Sequence, residues 1–488
     1  MGAYRVFLGL RCTLAACTGL VYTTIVVYRV DAAGLDPLQL VLVGTALEAA
    51  YFAFQLPTGV LADLGHNRAC VIAGVAVLGV GCVVEALLPL FLGILAAQVI
   101  GALGYALVSG ALEAWIAGEV EGAGEGGTAG EVGAAGESGT AGDGGTAGAG
   151  GTAGLTRVYL RGSQAGLIGT LGGTAVSGLV AGVRTSLPLL VGGGVLIATA
   201  VVLTLVMPER ARPRSAEAEA GAGAEPGAEA EPGAVDTVRA AWGLIRVRPA
   251  FLLVFAVVAL VGGWSEAIDR LWGAHLLETY RLPGPDATTW FSVLGVAATL
   301  LGLVVTQLIA TRAKDADTMG ILLGVVAALL VTTVVFGLAT NVYLAIGAAL
   351  ALAAARTAFA PVLTAWLVER TDPSVRATVL STRDMFDATG QVVGGPALGA
   401  IGTYWSLRAA LVVSAAALAP AAALLLAARR RLRRSGPRSL PAAAPRPAAQ
   451  PLPAAPPGAA ARPGAETRNP AAPEGAAGPE TRRCRVRR

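Results

Sequence analysis

Apolar runs of membrane-crossing length recur along this chain, and no other feature constrains its fold as much. They lie near 4–28, 38–59, 69–88, 90–113, 155–182, 186–207, 250–272, 288–311, 319–338, 342–367, 378–402 and 405–428. About 20 apolar residues is the helix length that crosses a hydrocarbon core of roughly 30 Å. A backbone in lipid must pair its own N–H and C=O groups, so each run is expected to be a helix. Of the 488 residues 55% are apolar and 14% charged, and the mean hydropathy is +0.66. A water-soluble chain of this composition has too little polar surface to cover itself. The expected fold class is an all-α integral membrane protein with twelve transmembrane helices. The first run continues into the multi-span pattern and is expected to be retained rather than cleaved.

An even number of spans puts both termini on one side, and the cations say which. Arg68, Arg157, Arg161, Arg210, Arg212, Arg214, Arg239, Arg246, Arg248, Arg312, Lys314, Arg370, Arg376 and the run Arg429–Arg434 fall in one set of loops. Arg29, Arg184, Arg281 and Arg408 fall in the other. Cation-rich loops stay inside, so both termini are expected to be cytoplasmic. Lys314 is the only lysine, and the wealth of Ala, Gly and Arg suggests a GC-rich bacterial genome. A bacterial plasma membrane is the expected location. The net charge of +4 lies in loops and tails, which points to no nucleic-acid partner. Cys12, Cys17, Cys70 and Cys82 lie in apolar runs without metal-ligand spacing and act as small hydrophobes.

Residues 208–248 divide the spans into two sets of six. The expected organisation is an N-terminal bundle at 1–207, a linker at 208–248, a C-terminal bundle at 249–428, and a basic then Pro/Ala-rich disordered tail at 429–488. The linker ends in an amphipathic segment, with Val235, Val238, Trp242 and Ile245 on one face and Arg239, Arg246 and Arg248 away from it. Such a helix is expected to lie on the inner membrane surface. The halves repeat weakly. At an offset of 222, Thr156, Arg161, Gly172 and Gly173 fall on Thr378, Arg383, Gly394 and Gly395. At an offset of 251, Leu112, Ala114 and Trp115 fall on Leu363, Ala365 and Trp366. The difference, 251 − 222 = 29, implies 29 extra residues between the fourth and fifth spans. They correspond to a Gly-Thr-Ala-Gly-rich run from about Gly122 to Gly151, inside a low-complexity loop at about 118–154.

Ionisable residues inside spans are costly and therefore functional candidates. Glu48 lies mid-span in the second run and has no cation at helical spacing on its own helix, which makes it the first candidate for proton coupling. Arg356 is mid-span in the tenth. Arg383 and Asp387 are four residues apart in the eleventh, on one helical face, where they can pair, as a structural ion pair holding the inner end shut or in a coupling role; Asp384 stands beside them. Glu266, Asp269 and Arg270 close the outer end of the seventh as gate or interface residues. Arg11 either snorkels or reaches into a cavity, and Glu113 and Glu119 end the fourth span. Glycines cluster in the fifth and eleventh runs at spacings that allow close helix packing.

Between the second and third runs lies Gly59-Val-Leu-Ala-Asp63-Leu-Gly65-His-Asn-Arg68, a sharp polar turn between two membrane-length segments. With the span count, this loop resembles the signature loop of the major facilitator superfamily, and within it the drug and metabolite efflux proteins. The resemblance covers about 1–430, apart from the Gly-Thr-Ala-Gly insertion and part of the linker. It implies two six-helix bundles rocking about a central cavity. It also implies that Asp63 latches the bundles against the start of the eleventh helix near Ser374–Thr378, that Gly59 and Gly65 permit the turn, and that Arg68 pairs locally. There are departures from the pattern. The loop ends His66-Asn67-Arg68, poor in cations. The fifth helix lacks the Gly-Pro pair of antiporters, and Gly-Gly-Pro appears instead at Gly394–Pro396. The second-half loop, Arg312–Asp317, does not repeat the signature.

With two histidines, His66 and His275, and no phosphate loop, metal cluster or nucleophile arrangement, no enzyme is expected, and no cofactor. The expected function is export of small amphiphilic molecules by a monomer in the lipid bilayer, powered by the proton gradient. Uptake of a nutrient, and a non-transporting scaffold or sensor, are the alternatives.

Overall fold

A computed structural model of the chain describes residues 2–63, 66–125, 147–208, 249–284, 286–312, 317–371 and 376–435. The amphipathic linker segment, the middle of the Gly-Thr-Ala-Gly run and the tail from 436 lie outside these residues. The helices are α1 (Ala3–Ala32), α2 (Pro37–Asp63), α3 (Asn67–Leu87), α4 in two pieces (Phe91–Val108 and Ala111–Glu125), α5 (Ala147–Val183) and α6 (Leu187–Val206). The second set is α7 (Pro249–Thr279), α8 (Ala287–Arg312), α9 (Thr318–Leu338), α10 (Val342–Glu369), α11 (Arg376–Tyr404) and α12 (Leu407–Ser435). Gly110, at φ +78°, separates the two pieces of α4, a left-handed conformation that a side chain disfavours. The last turn of α1, Tyr28–Ala32, is a π turn.

Among the described residues eleven helical stretches are long and apolar enough to cross a bilayer. The expected span at 378–402 is not one of them. Its helix α11 has 29 residues but carries Arg376, Arg383, Asp384 and Asp387 in its first part and Thr389, Gln391, Pro396 and several glycines after them, all of which lower its hydropathy. It is no peripheral helix, since it packs along both α7 and α2. Both ends of the low-complexity segment expected as a loop at 118–154 are helical among the described residues. Helix continues to Glu125 and resumes at Ala147.

Lipid removes the hydrophobic drive between helices, so close approach relies on small residues. A Cβ on Gly173 of α5 would overlap the Ala16 carbonyl oxygen of α1. One on Gly390 of α11 would overlap the Ala259 carbonyl oxygen of α7, and Gly394 meets Gly263 backbone to backbone. The α1–α5 and α7–α11 pairs are the closest-packed in their sets. The glycine clusters in the sequence mark these contacts.

The helices alternate in direction, which gives the molecule two ends. The terminal end holds the beginning of α1 and the end of α12. The distal end holds the turns after α1, α3, α5, α7, α9 and α11. Contacts between the two sets of helices gather toward the distal end. The Leu38 N–H donates to Thr403 Oγ1 at 2.8 Å, and Thr403 donates to Asp36 at 3.2 Å. Gly178 of α5 abuts Ser292 and Thr288 of α8, and Gly399 of α11 abuts Val41 of α2. The buried core agrees: one apolar cluster of the second set runs on into Tyr28, Leu40, Val41 and Leu189 of the first. A second cluster, with Phe7, Val71, Trp115 and Leu203, stays within the first set.

At the terminal end each set ties its own third and sixth helices. Arg68 at the start of α3 donates to the Thr204 and Met207 carbonyls at the end of α6, at 2.7 and 3.0 Å. In the second set Arg429 of α12 donates to Asp317, the N-cap of α9, at 2.7 Å.

Candidate functional site

A cavity of about 860 Å³ opens among α1–α6, bordered by Arg11, Tyr22, Glu48, Tyr51, Glu85, Gln98, Tyr105 and Glu113. Glu48 sits on its wall, half-buried, and makes no hydrogen bond or salt bridge among the described residues. Charged groups of the other set of helices, Glu266, Arg270, Asp387 and Asp269, are near enough to influence it. Arg11 reaches into this cavity and stands 3.8 Å from Glu113. Tyr51 and Tyr105 pack with ring centroids 5.1 Å apart.

A second cavity of about 460 Å³ lies among α7, α8, α9 and α10. Arg356 of α10 makes a two-pronged ion pair with Asp269 of α7, its second hydrogen bond being 2.5 Å long. The pair is partly open, with side-chain exposures of 37% and 42%. Arg270 instead turns back along α7 to Glu266, 3.1 Å away. That pair is wedged between the halves: a Cβ on Gly44 of α2 would overlap the Glu266 carboxylate, and Gly395 of α11 touches Glu266 from the other side.

The expected Arg383–Asp387 pair is corrected. Arg383 bonds Asp384 at 2.5 and 2.9 Å and Thr364 of α10 at 2.8 Å, while Asp387 accepts from Gln391 at 2.7 Å. Spacing places residues i and i+4 on one face, but the longer reach of arginine lets it choose the next residue or another helix. In the signature loop, Gly59 is exposed with open space beside it. Gly65 and the side chain of Asp63 lie outside the described residues, as does most of the expected docking segment. Arg68 reaches across to α6, a longer link than the local pairing expected of it.

Arg29, assigned to a loop by sequence, is corrected too. It is buried at the end of α1 (3% exposed), with Nε 2.8 Å from Glu85 of α3. Glu85 also accepts from Gln98 of α4 at 2.7 Å, and Tyr28 donates to its backbone carbonyl at 2.6 Å. Gln98 Oε1 is buried with no hydrogen-bond partner. This network was missed. Its signal was a lone glutamate in Gly81-Cys-Val-Val-Glu85-Ala-Leu-Leu88, inside an apolar run.

No protein-family model matches the chain, and no curated protein matches it in sequence. Solved structures do match in shape. The nucleoside transporter NupG superimposes with a TM-score of 0.67 at 13% identity, covering 88% of this chain and 100% of that one. A bacterial homologue of the human lysosomal transporter Spinster, inward-facing and occupied, gives 0.66 at 15%, covering 91% and 100%. A POT family transporter in complex with a thioalcohol-conjugated peptide gives 0.60 at 11%, covering 88% and 96%. These are transporters, not enzymes. At such identities the likeness speaks for the fold, and the chain is a multi-pass membrane protein with the major facilitator fold.

Proposed function

We propose that this chain is a secondary active transporter that moves a small molecule across a bacterial plasma membrane by alternating access, coupled to the proton gradient. Its twelve helices form two six-helix bundles, 1–207 and 249–428, joined by the linker 208–248. All twelve, α11 included, cross the membrane, and both termini are cytoplasmic by the arginine bias. With that orientation the distal end is extracellular, and the conformation described is closed outside and open to the cytoplasm. The observation that carries the reading is the joint arrangement of closure and cavity. The halves meet toward the distal end, whereas Tyr105, Glu113 and Asp384 toward the terminal end are exposed. Binding sites at the bundle midplane, alternately opened by rocking, are the working principle of such repeats.

Glu48 is the proposed coupling residue, because it is the acid on the cavity wall without an ion partner among the described residues, and a carboxylate held there is costly while charged. Glu48→Gln keeps the volume and removes the charge. It is expected to abolish gradient-driven accumulation in vesicles while leaving substrate exchange partly intact. Full accumulation of a neutral substrate by the variant moves the coupling role to Asp387.

The proposed direction is export of small amphiphilic compounds, supported by the resemblance of the Gly59–Arg68 loop to that of efflux proteins. Uptake is the alternative, and everted membrane vesicles decide between them. An exporter accumulates substrate when the vesicle interior is acidified. A proton-coupled importer instead accumulates substrate when the medium outside right-side-out vesicles is the acidic side, and a scaffold moves nothing in either.

A further inference from the structure

The second cavity has a lining that selects for charge type. Apart from Asp269, Arg356 and Thr357 it is apolar, with Trp272, Leu294 and Phe336 among its walls. The Thr357 hydroxyl is committed to the Ala354 carbonyl of its own helix, at 2.8 Å. The polar chemistry on offer is therefore one acid–base pair facing an apolar chamber. At about 460 Å³ the chamber is within the size range of small-molecule sites, roughly 300–1,000 Å³.

Arg356 has a second contact besides Asp269. Its guanidinium lies 5.9 Å from the ring centre of Trp264, just within the roughly 6 Å reach of a cation–π contact. Trp264 is 1% exposed and is fixed in turn by its N–H bond to Thr333, 3.1 Å long. When Asp269 releases it, the guanidinium retains the contact with Trp264 and presents a planar fork that matches a carboxylate.

We propose that this cavity binds a zwitterionic solute, an α-amino acid or a short peptide-like molecule with an apolar side chain. The solute opens the Asp269–Arg356 pair: its carboxylate takes Arg356, its ammonium takes Asp269, and its side chain fills the chamber. One ion pair becomes two, and no charge is stranded. A simple cation would take Asp269 and leave Arg356, which cannot shed its proton, only the less direct influence of Asp387 and Glu266. A simple anion would strand Asp269 unless a proton came with it. The site also borders the seam between the halves, because the lining residue Gly295 abuts Thr174 and Thr23 of the first set. An occupant is thus placed to bias the distal closure. This inference deepens the transport reading and rests on it for its purpose, but the binding chemistry is testable without flux.

The test is calorimetric titration of the purified full-length protein with L-phenylalanine, L-leucine, phenethylamine and 3-phenylpropionate. At least one of the two amino acids is expected to bind saturably, and L-phenylalanine at least tenfold more tightly than its amine or acid counterpart. Asp269→Asn and Arg356→Gln are each expected to weaken it tenfold or more, with unchanged size-exclusion profiles. If either variant fails to fold, the ligand series on the unmodified protein decides alone. Four results overturn the proposal: no saturable binding of either amino acid, phenethylamine binding as tightly, 3-phenylpropionate binding as tightly, or folded variants that bind normally. Amino-acid binding without flux in either vesicle orientation would keep this site and refute transport. Proton-driven flux of another solute, without amino-acid binding, would do the reverse.

Discussion

Two arginine–carboxylate pairs, one in each half, have the same chemistry and opposite surroundings. Arg29 and Glu85 join α1 to α3 with both side chains 4% exposed, reinforced by Gln98 and Tyr28. Arg356 and Asp269 join α10 to α7 with both side chains more than a third exposed, facing a cavity. A buried pair is held because neither partner can survive alone in a low dielectric. A pair that faces a cavity has room beside it, so a ligand carrying both charges can enter between the partners without stranding either. The first therefore fastens a bundle, and the second is available for exchange with a ligand.

The sharpest way to break this comparison is to remove one member of the buried pair. Glu85→Ala strands Arg29 and is expected to cost about 3–5 kcal/mol of stability, read as a large fall in melting temperature in detergent. Replacing both Arg29 and Glu85 by leucine should restore most of it. A single variant that melts like the parent would mean that Arg29 finds water, and the contrast with Arg356 would collapse.

A second, smaller effect separates contacts within a half from contacts between halves. Gly390→Ala drives a Cβ into the Ala259 backbone inside the second bundle, and overpacking of this kind costs about 1–3 kcal/mol. Gly178→Leu instead obstructs the α5–α8 seam, where the Thr288 carbonyl oxygen lies 2.8 Å from the Cβ position. It is expected to leave melting nearly unchanged but to shift the population away from distal closure by about tenfold, or about 1.4 kcal/mol. Maleimide labelling of single cysteines on the distal side of the cavity reads that shift. Equal melting losses for both variants, with unchanged labelling, would show that the seam is static.

The smallest effect belongs to the terminal-end tie. Burial pushes the Asp317 carboxyl up, but the Arg429 hydrogen bond and charge, with the N–H groups of Gly320 and Met319, outweigh it and hold the carboxyl below its usual range. A depressed folded pKa means stability that is present above the unfolded carboxylate range and lost as pH falls through the folded value. With Asp317 40% exposed, solvent screening limits the ion pair, and Asp317→Ala should cost about 1 kcal/mol or less, mostly through the lost cap. The difference between parent and variant should shrink on acidification. A difference that grows instead would contradict the assigned sign.

The apolar runs located eleven spans to within a few residues at most ends, because a lipid-crossing helix needs both length and hydropathy, and both are properties of the local sequence. The seventh ran longer than expected, to Thr279, since Glu266, Asp269 and Arg270 read as a polar boundary when they are in fact buried or paired inside the helix bundle. The eleventh helix is less apolar because charges begin it and Gln391, Pro396 and glycines follow. Glu48, Asp269 and Arg356 were recognisable as candidates because intramembrane charge is rare. Which charge meets which was not recognisable. Arg383 ignored its i+4 neighbour, and Arg29, at the edge of a run, was indistinguishable from a loop cation.

The sequence by itself determined that this chain lives in a membrane as a bundle of helices, and that glycine-rich faces would bring some of them into backbone contact. Those are consequences of composition and of periodicity along one helix. Tertiary structure alone decided the pairing of charges, the burial of Arg29 against Glu85, the placing of Glu266 at the seam, and the exposure of Asp269 and Arg356 to a chamber. Arg29 and Glu85 are 56 residues apart, Asp269 and Arg356 are 87 apart, and Glu266 lies against a helix of the other half. The energy of a charge in a membrane is set by what surrounds it in space, and no local pattern in the chain encodes that.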